Sequence, residues 1–582
     1  MHQKFEKKLK KLQNAVVFKA MSAYGGICRK RLLSKSQRGD WVSKKLLLQM
    51  VRKNKDTEIG RKYHFRDIRT VKDYQRIVPL TTFKDYEEYV ERTAGMGEQG
   101  LMTADRIVYF ADTSGTVSQM KKIPVTKAFF PPTLHSGCIL YWLLRKEMKR
   151  KGFGGRNAIG LNLIENASWP TESGIHHGYI TSYMLKTAKP LISKLVCFPP
   201  ELFVPNENVD ARYIKALFAL AQRDLSFIWA IFMSVITDMM AYIEDNHRML
   251  IRDIAKGRID PSIKMPEDFR RRIEKKLRPD PKRARELAEA FRHPERGPIV
   301  PRIWRKMSLV MAVGTGEFFP YVQKMRGYMG PDIAISHQAY ASSESVFATC
   351  INENDERYLL IPYGGFFEFL PLDEEGEGDV SHPLTMKDLR AGEHYELVLT
   401  NLSGLYRYRI RDVVYVNGFQ GETPFLQFAY RQQQMINILG THVTTEQLRA
   451  VVKRLEDRLG IRVEDYTVYE DVDCVPARIV CFMEPAEGED WSRDVVSRIP
   501  SLFDELLVEA NLDFRHNMEE NNISATCIKV LPKGTFRGYR EEQLRNGKSM
   551  NQLKAVRVIQ KPEQLQFFSN ASKSSLGNED TQ

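Results

Sequence analysis

Tyr109-Phe110-Ala111-Asp112-Thr113-Ser114-Gly115-Thr116-Val117-Ser118-Gln119-Met120-Lys121-Lys122 runs from an apolar segment into small and hydroxyl residues and then two lysines. Its apolar start, Ile107 to Phe110, predicts a strand feeding a polar loop. Backbone N–H groups in such a turn can converge on phosphate oxygens. Hydroxyls add donors and a lysine adds positive charge. The stretch lacks the G-x-x-x-x-G-K-[ST] spacing of a Walker A loop. By itself it reads more readily as a hydroxyl-rich surface turn.

The surrounding chain narrows the choice. Its 582 residues are 43% hydrophobic and 27% charged, an ordinary globular composition too long for one core, so two or more domains are expected. Seven cysteines are scattered without a CxxC pair, which predicts reduced thiols and a cytoplasmic location. Met1 to Lys11 is charged with no apolar core behind it, so no signal peptide is expected there. The most apolar run, Leu225 to Thr237, is too short to cross a bilayer; it predicts a buried helix and no membrane partner. A formal charge of +14 favours anionic ligands, but the bases alternate with acids, so no nucleic-acid partner is expected.

Residues 6 to 60 have a helical period, with a basic face that suits either solvent or an acidic surface. Helices are predicted over 207 to 257, broken near Asp224, and again over the charged, Pro-containing stretch 258 to 302. Strands are predicted at 158–163, 307–312, 358–361, 366–370, 396–400 and 410–416, and their βα alternation implies an α/β body. Beyond about residue 430 the pattern becomes that of a compact α+β domain, with a helix at Thr445 to Leu459. Ala571 to Gln582 predicts a disordered tail.

Three further stretches carry chemistry. In Tyr340-Ala341-Ser342-Ser343-Glu344, a carboxylate after small residues suits Mg²⁺ or a nucleotide hydroxyl, or else a solvated turn. In Gly404-Leu405-Tyr406-Arg407-Tyr408-Arg409-Ile410-Arg411-Asp412-Val413, period-2 geometry would put tyrosines on one face and arginines on the other. Those arginines suit phosphate or carboxylate, Asp412 can accept from two ribose hydroxyls, and the plainer alternative is an edge strand laced with ion pairs. Near the other end, Gln552, Lys554 and Arg557 follow a Gly-Lys-Ser turn.

Taken in order, these stretches resemble the plant auxin-responsive acyl-acid amido synthetases and their bacterial relatives, within the adenylate-forming acyl/aryl synthetase and luciferase superfamily. Thr113 to Pro124 matches its phosphate-loop pattern, 340–344 its Y-A-S-S-E, 367–371 its F-E-F-L-P and 404–413 its G-L-Y-R-Y-R-x-x-D-V. Phe428 with Arg431 matches its Phe-x-x-Arg, and Gln552, Lys554 and Arg557 its Q-x-K-x-x-R. A bacterial-type member is expected. The resemblance implies a large multi-subdomain α/β adenylation body over residues 1–430, with a helical acyl-binding insertion around 160–300. A small mobile α+β lid would cover 431–570, hinged near Tyr430 to Gln434, and the tail would be 571–582.

By the same resemblance Thr113, Ser114, Gly115, Thr116 and Lys122 would surround the phosphates of ATP. Tyr340 and Ser343 would lie in the nucleotide site, Tyr340 near adenine, and Glu344 would face Mg²⁺. Asp412, supported by Arg431, would hold ribose, and Lys554 would reach the α-phosphate. The implied substrates are a small carboxylic acid and an amine, that of an amino acid. A thiol on a carrier protein is the alternative acceptor, and a degenerate nucleotide-binding scaffold is the non-enzymatic one. Three departures stand out: Gln119 and Arg411 replace glycines, and Gly440-Thr441-His442 replaces a turn with an acid and a lysine. Trp169, His176, His177, Tyr179, Phe227 and Trp229 are candidates for an apolar acyl pocket. No metal site is expected at His176-His177, because no carboxylate or cysteine partner follows at helical spacing.

Overall fold

The computed structural model describes residues 2–113, 121–204, 209–372, 378–432, 435–438, 441–548, 550 and 553–576. Ser114, Gly115, Thr116, Gln119, Gly440 and Gln552 lie outside these residues, as does the tail beyond 576.

Three sheets build the body. In the first, β1 (Ile107–Asp112) pairs antiparallel with β2 (Lys122–Thr126) and parallel with β5 (His176–Gly178), which pairs with β4 (Ser168–Pro170). In the second, β3 (Ile159–Asn162), β6 (Leu225–Phe232), β7 (Leu309–Val313) and β8 (Ala334–Ser336) are parallel in that order. The third is antiparallel: β9 (Ala339–Ala341), β10 (Val346–Thr349), β11 (Tyr358–Leu360), β12 (Gly365–Pro371), β13 (His394–Asn401), β14 (Tyr408–Gln420) and β15 (Thr423–Arg431), ordered β12-β13-β14-β15-β11-β10-β9.

The second sheet changes two expectations. Leu225 to Phe232 is a strand, and only from Met233 does the apolar run become helical. A strand with parallel neighbours on both edges and helices over both faces needs no polar alternation, so its sequence cannot be told from a buried helix by period. The supposed helical insertion is therefore a layered α/β unit around this sheet. Gly160 of β3 lets the sheet close: a Cβ there would meet ring carbons of Phe227 at 2.2 Å. Phe227 is thus core, and Trp229 packs against both body cores.

The third sheet corrects the reading of the Tyr-Arg alternation. Arg407 has φ +47, so extended backbone begins only at Tyr408, in a strand flanked on both sides. The Arg407 Nε donates to Glu368 at 3.1 Å and the Arg409 guanidinium to Glu396 at 2.5 and 2.7 Å. Both arginines are anchored in carboxylates, which removes them as free phosphate ligands.

Beyond the body, β16 (Ile436–Ile438) pairs with β17 (Thr441–Val443), and β18 (Val463–Asp471), β19 (Arg478–Pro485) and β20 (Cys527–Val530) form a separate sheet. Thr444 caps the helix Thr445–Leu459 through a capping box with Gln447. The last helix, Pro562–Leu576, runs past Ala571, where the tail was expected to begin. Phe568 explains this: it is buried among Phe482, Phe536 and Tyr539 and holds the helix down.

A polar network docks this domain on the body. Arg540 grips Asp238 with two 2.7 Å bonds and donates to the Tyr321 hydroxyl at 2.8 Å. Tyr321 donates to Asp465, which also pairs with Arg557. Lys324–Glu464 adds a pair at 2.5 Å. All seven cysteines are free thiols.

Candidate functional site

The β1–β2 hairpin sets the first part of the site. Asp112 lies opposite Lys122, and the Thr113 N–H donates to the Lys121 carbonyl at 3.0 Å, closing the base of the polar loop. Lys122 is thereby the first residue of a strand, half-buried at the loop's mouth. The buried Thr113 hydroxyl has no hydrogen-bond partner among the described residues. An orphaned hydroxyl at this position fits a ligand oxygen.

The loop after β9 is tied to that hairpin. Ser343 Oγ donates to the Asp112 carbonyl at 3.0 Å. Ser342 Oγ donates to Glu344 Oε2 at 2.5 Å, and Asn401 Nδ2 donates to the Glu344 carbonyl at 2.9 Å. Glu344 is held at both its backbone and one carboxylate oxygen. Asn401 was not anticipated; a lone asparagine in Thr400-Asn401-Leu402-Ser403 carries no signal by itself.

The third part is built around Asp412. Tyr340 donates its hydroxyl to Oδ2 at 2.7 Å, and Arg431 Nε donates to Oδ1 at 2.6 Å. Asp412 is 1% exposed. Burial pushes the Tyr340 hydroxyl well above its ordinary pKa, and the Asp412 charge adds to that shift. The Asp412 charge likewise holds Arg431 firmly protonated. The Tyr340 ring lies 4.8 Å from Phe347 and 6.0 Å from Phe428, forming an aromatic patch beside the carboxylate.

A bulge aims Asp412. Glu396 pairs with Val413 and Val398 with Arg409, so one residue of β13 faces three of β14, Ile410 to Asp412. Arg411 absorbs the kink at φ +63, a conformation that favours glycine. This is the position where the resemblance led one to expect glycine, and the backbone keeps the shape although the residue differs.

Sequence reasoning also missed a pair. His177 Nδ1 lies 3.0 Å from the Asp112 carboxylate, although no carboxylate follows His176-His177 at helical spacing. The parallel β1–β5 pairing supplies it from 65 residues away. Burial pushes Asp112 up, and His177 opposes that shift. Trp169 and Tyr179 flank the hairpin on the same side as His177, with Trp169 and His177 rings 5.9 Å apart.

Lys554 is exposed on the segment after the helix Thr535–Arg545. Its neighbours Met550 and Leu553 are buried in the second core of the body, and the Met550 N–H donates to Glu165 at 3.3 Å. The structure thus brings Thr113, Lys122, Ser343 and Glu344 around one hairpin and Tyr340, Asp412 and Arg431 around one carboxylate, while Lys554 arrives on a docked segment. Arg557 points elsewhere, into Asp465 and the Tyr466 carbonyl.

Comparison with known families matches residues 28–333 to the GH3 family N-terminal domain, 358–431 to its central domain and 446–563 to its C-terminal domain. The chain belongs to the GH3 family. Among curated GH3 relatives, an indole-3-acetic acid-amido synthetase of Arabidopsis thaliana, GH3.4, is 25% identical, covering 89% of each chain. A jasmonoyl–L-amino acid synthetase of Nicotiana attenuata, JAR4, is 25% identical over 89% of this chain and 91% of its own. The solved GH3.15 acyl acid amido synthetase shares the fold, with a TM-score of 0.81 at 24% identity over 94% of this chain and 96% of its own. The expectation of a bacterial-type member is corrected: the curated GH3 relatives it matches include proteins of Arabidopsis, rice and Nicotiana, and the chain is a plant-type GH3 protein. The family architecture, a large α/β adenylate-forming body followed by smaller α+β domains, is the one observed.

Proposed function

We infer that this chain is an ATP-dependent acyl-acid amido synthetase, which adenylates a carboxylic acid and passes the acyl group to the amine of an amino acid. The observation that carries this reading is the buried Tyr340–Asp412–Arg431 array standing beside the Ser343–Asp112 tie, within a chain matched by all three GH3 domains.

In the first half-reaction an oxygen of the acid attacks the α-phosphorus, the bond to the bridging oxygen breaks, and pyrophosphate leaves. The Thr113 hydroxyl and Lys122 would meet phosphate oxygens at the loop mouth, with Ser114, Gly115 and Thr116 completing the cradle. Lys554 would offset charge on the α-phosphate. Among the described residues Asp412 accepts one hydrogen bond on each oxygen, which leaves lone pairs for ribose hydroxyls. Tyr340, backed by the buried Phe347, and Phe428 would offer the adenine an apolar face. Among the described residues Glu344 Oε1 accepts no hydrogen bond, and it suits a cation that takes most of its other ligands from phosphate and water. Mg²⁺ bound there would screen the phosphate charge.

In the second half-reaction the amine nitrogen attacks the acyl carbon, the bond to the AMP oxygen breaks, and the amine gives its proton to solvent. Movement of the 431–570 lid about residues 430–434 would withdraw Lys554 and admit the amine. The names of the curated relatives support an apolar acid of the indole-3-acetic or jasmonic kind. Free thiols throughout the chain support a cytoplasmic place of work.

The test is a panel of acids and amino acids with ATP and Mg²⁺, read by pyrophosphate release and by mass spectrometry of the product. Acid-dependent pyrophosphate and an amide are expected. Pyrophosphate independent of every acid, or a product other than an amide, would overturn the reading.

A further inference from the structure

The solvent face of the first helix, His2–Ser36, carries a stripe that the reaction does not use. Leu9, Leu12, Val16 and Ile27 are 43, 61, 59 and 62% exposed, and Ala20 and Ala23 are exposed between them. The core-facing side of the same helix is a different set: Phe18, Met21, Cys28 and Leu32 are buried against the body. The stripe therefore does not belong to the fold's own packing. It also lies wholly before residue 28, where the match to the family begins.

Charge and spacing say what would cover it. From residue 7 to 39 the chain has ten Lys and Arg and no Asp or Glu. Lys8, Lys19, Lys30 and Arg31 are exposed around the stripe. A second copy of this helix would set base against base, which opposes self-association. The stripe advances by 3, 4, 4, 3 and 4 residues, the period of a straight α-helix. Its side chains make one line of about 27 Å, whereas a supercoiled partner helix needs a 3.5-residue repeat. A straight apolar line rimmed by bases fits a flat, anionic surface.

We propose that the first helix docks this protein peripherally on an anionic lipid bilayer. The apolar stripe enters the boundary between headgroups and acyl chains, and the flanking bases meet lipid phosphates and carboxylates. Such docking needs no spanning segment, and no helix among the described residues is long and apolar enough to cross a membrane.

The experiment is flotation of the full chain with vesicles of phosphatidylcholine alone and with about one-third phosphatidylserine. Flotation with the anionic vesicles only, reversed by raised salt, is expected. Val16→Glu with Ile27→Glu should lower the bound fraction about tenfold, and Lys8→Gln, Lys19→Gln and Lys30→Gln together should lower it by at least as much. Both sets lie at exposed positions, so thermal melts should match wild type and exclude misfolding as the cause. Absence of flotation on anionic vesicles, equal flotation on phosphatidylcholine, or glutamate variants that float like wild type would each overturn the proposal. A chain that ignores vesicles but elutes as a dimer, made monomeric by Val16→Glu, would overturn it in favour of self-association.

Discussion

Arg540 in the C-terminal domain holds Asp238 in the body through two hydrogen bonds of 2.7 Å, with Tyr321 completing the guanidinium's surroundings. Arg540 is 7% exposed, so this is a desolvated pair rather than a surface one. Asp465 and Arg557 extend the network within the C-terminal domain.

Removing one member of a buried pair strands the other. Arg540→Ala should weaken domain docking by about 3 kcal/mol. Cleavage by a non-specific protease in the 432–444 connection should accelerate strongly, with the body's melting little changed. A cleavage rate equal to wild type would show that the network does not hold the domain.

The nucleotide array separates binding from folding. Tyr340→Phe removes one hydrogen bond to Asp412 and should weaken ATP binding about fivefold, a loss near 1 kcal/mol. Asp412→Ala should lower adenylation at least a hundredfold and also destabilise the body, because Arg431 loses its partner. Calorimetric ATP titration and acid-dependent pyrophosphate release read the two effects.

Lys554, an exposed side chain, allows the proposed chemistry to be tested directly. Lys554→Ala should cut pyrophosphate release about a hundredfold or more, with ATP affinity and thermal melting near wild type. Unchanged adenylation would remove the residue from the mechanism.

Arg411 allows a prediction of opposite sign. At φ +63 a non-glycine residue is strained. Arg411→Gly should relieve roughly 1 kcal/mol, visible as a higher denaturant midpoint, whereas Arg411→Ala should not stabilise.

Glu484 gives a pH dependence. Burial pushes its carboxyl up from 4.5 to about 7, although the Gly534 and Phe536 N–H groups favour its charged form. A raised folded pKa means that the native state keeps a proton the unfolded chain has lost. The contribution is whole below pH 4.5 and is lost as pH rises to about 7. The C-terminal domain should therefore lose stability across that window, and Glu484→Gln should remove most of the slope. Equal slopes in chemical denaturation of the two proteins would contradict this.

The sequence was most legible where local chemistry acts alone. Thr445 to Leu459 reads as a helix in the sequence, and the structure draws the same limits, with a capping box at its start. It was least legible where tertiary pairing decides. Leu225 to Phe232 became a strand because parallel strands pair along both its edges, which no window of sequence records. His177 found Asp112 through a parallel pairing of strands 65 residues apart, and Asn401 reached Glu344 from another strand. Arg411 marks the opposite limit. The departure from glycine was visible, but the strain it implies appears only in the backbone.

Met550 and Leu553 give the Lys554 segment a resting address. Both are buried in the body's own core rather than in that of the domain that carries them. Withdrawing Lys554 means peeling these side chains off, at roughly 1.5–3 kcal/mol each if they stay in water. Under the proposed mechanism, the molecule should idle with this segment docked and turn over to the amine step only when something replaces those contacts. The choice of waiting pose is thus written into two apolar side chains that touch neither substrate.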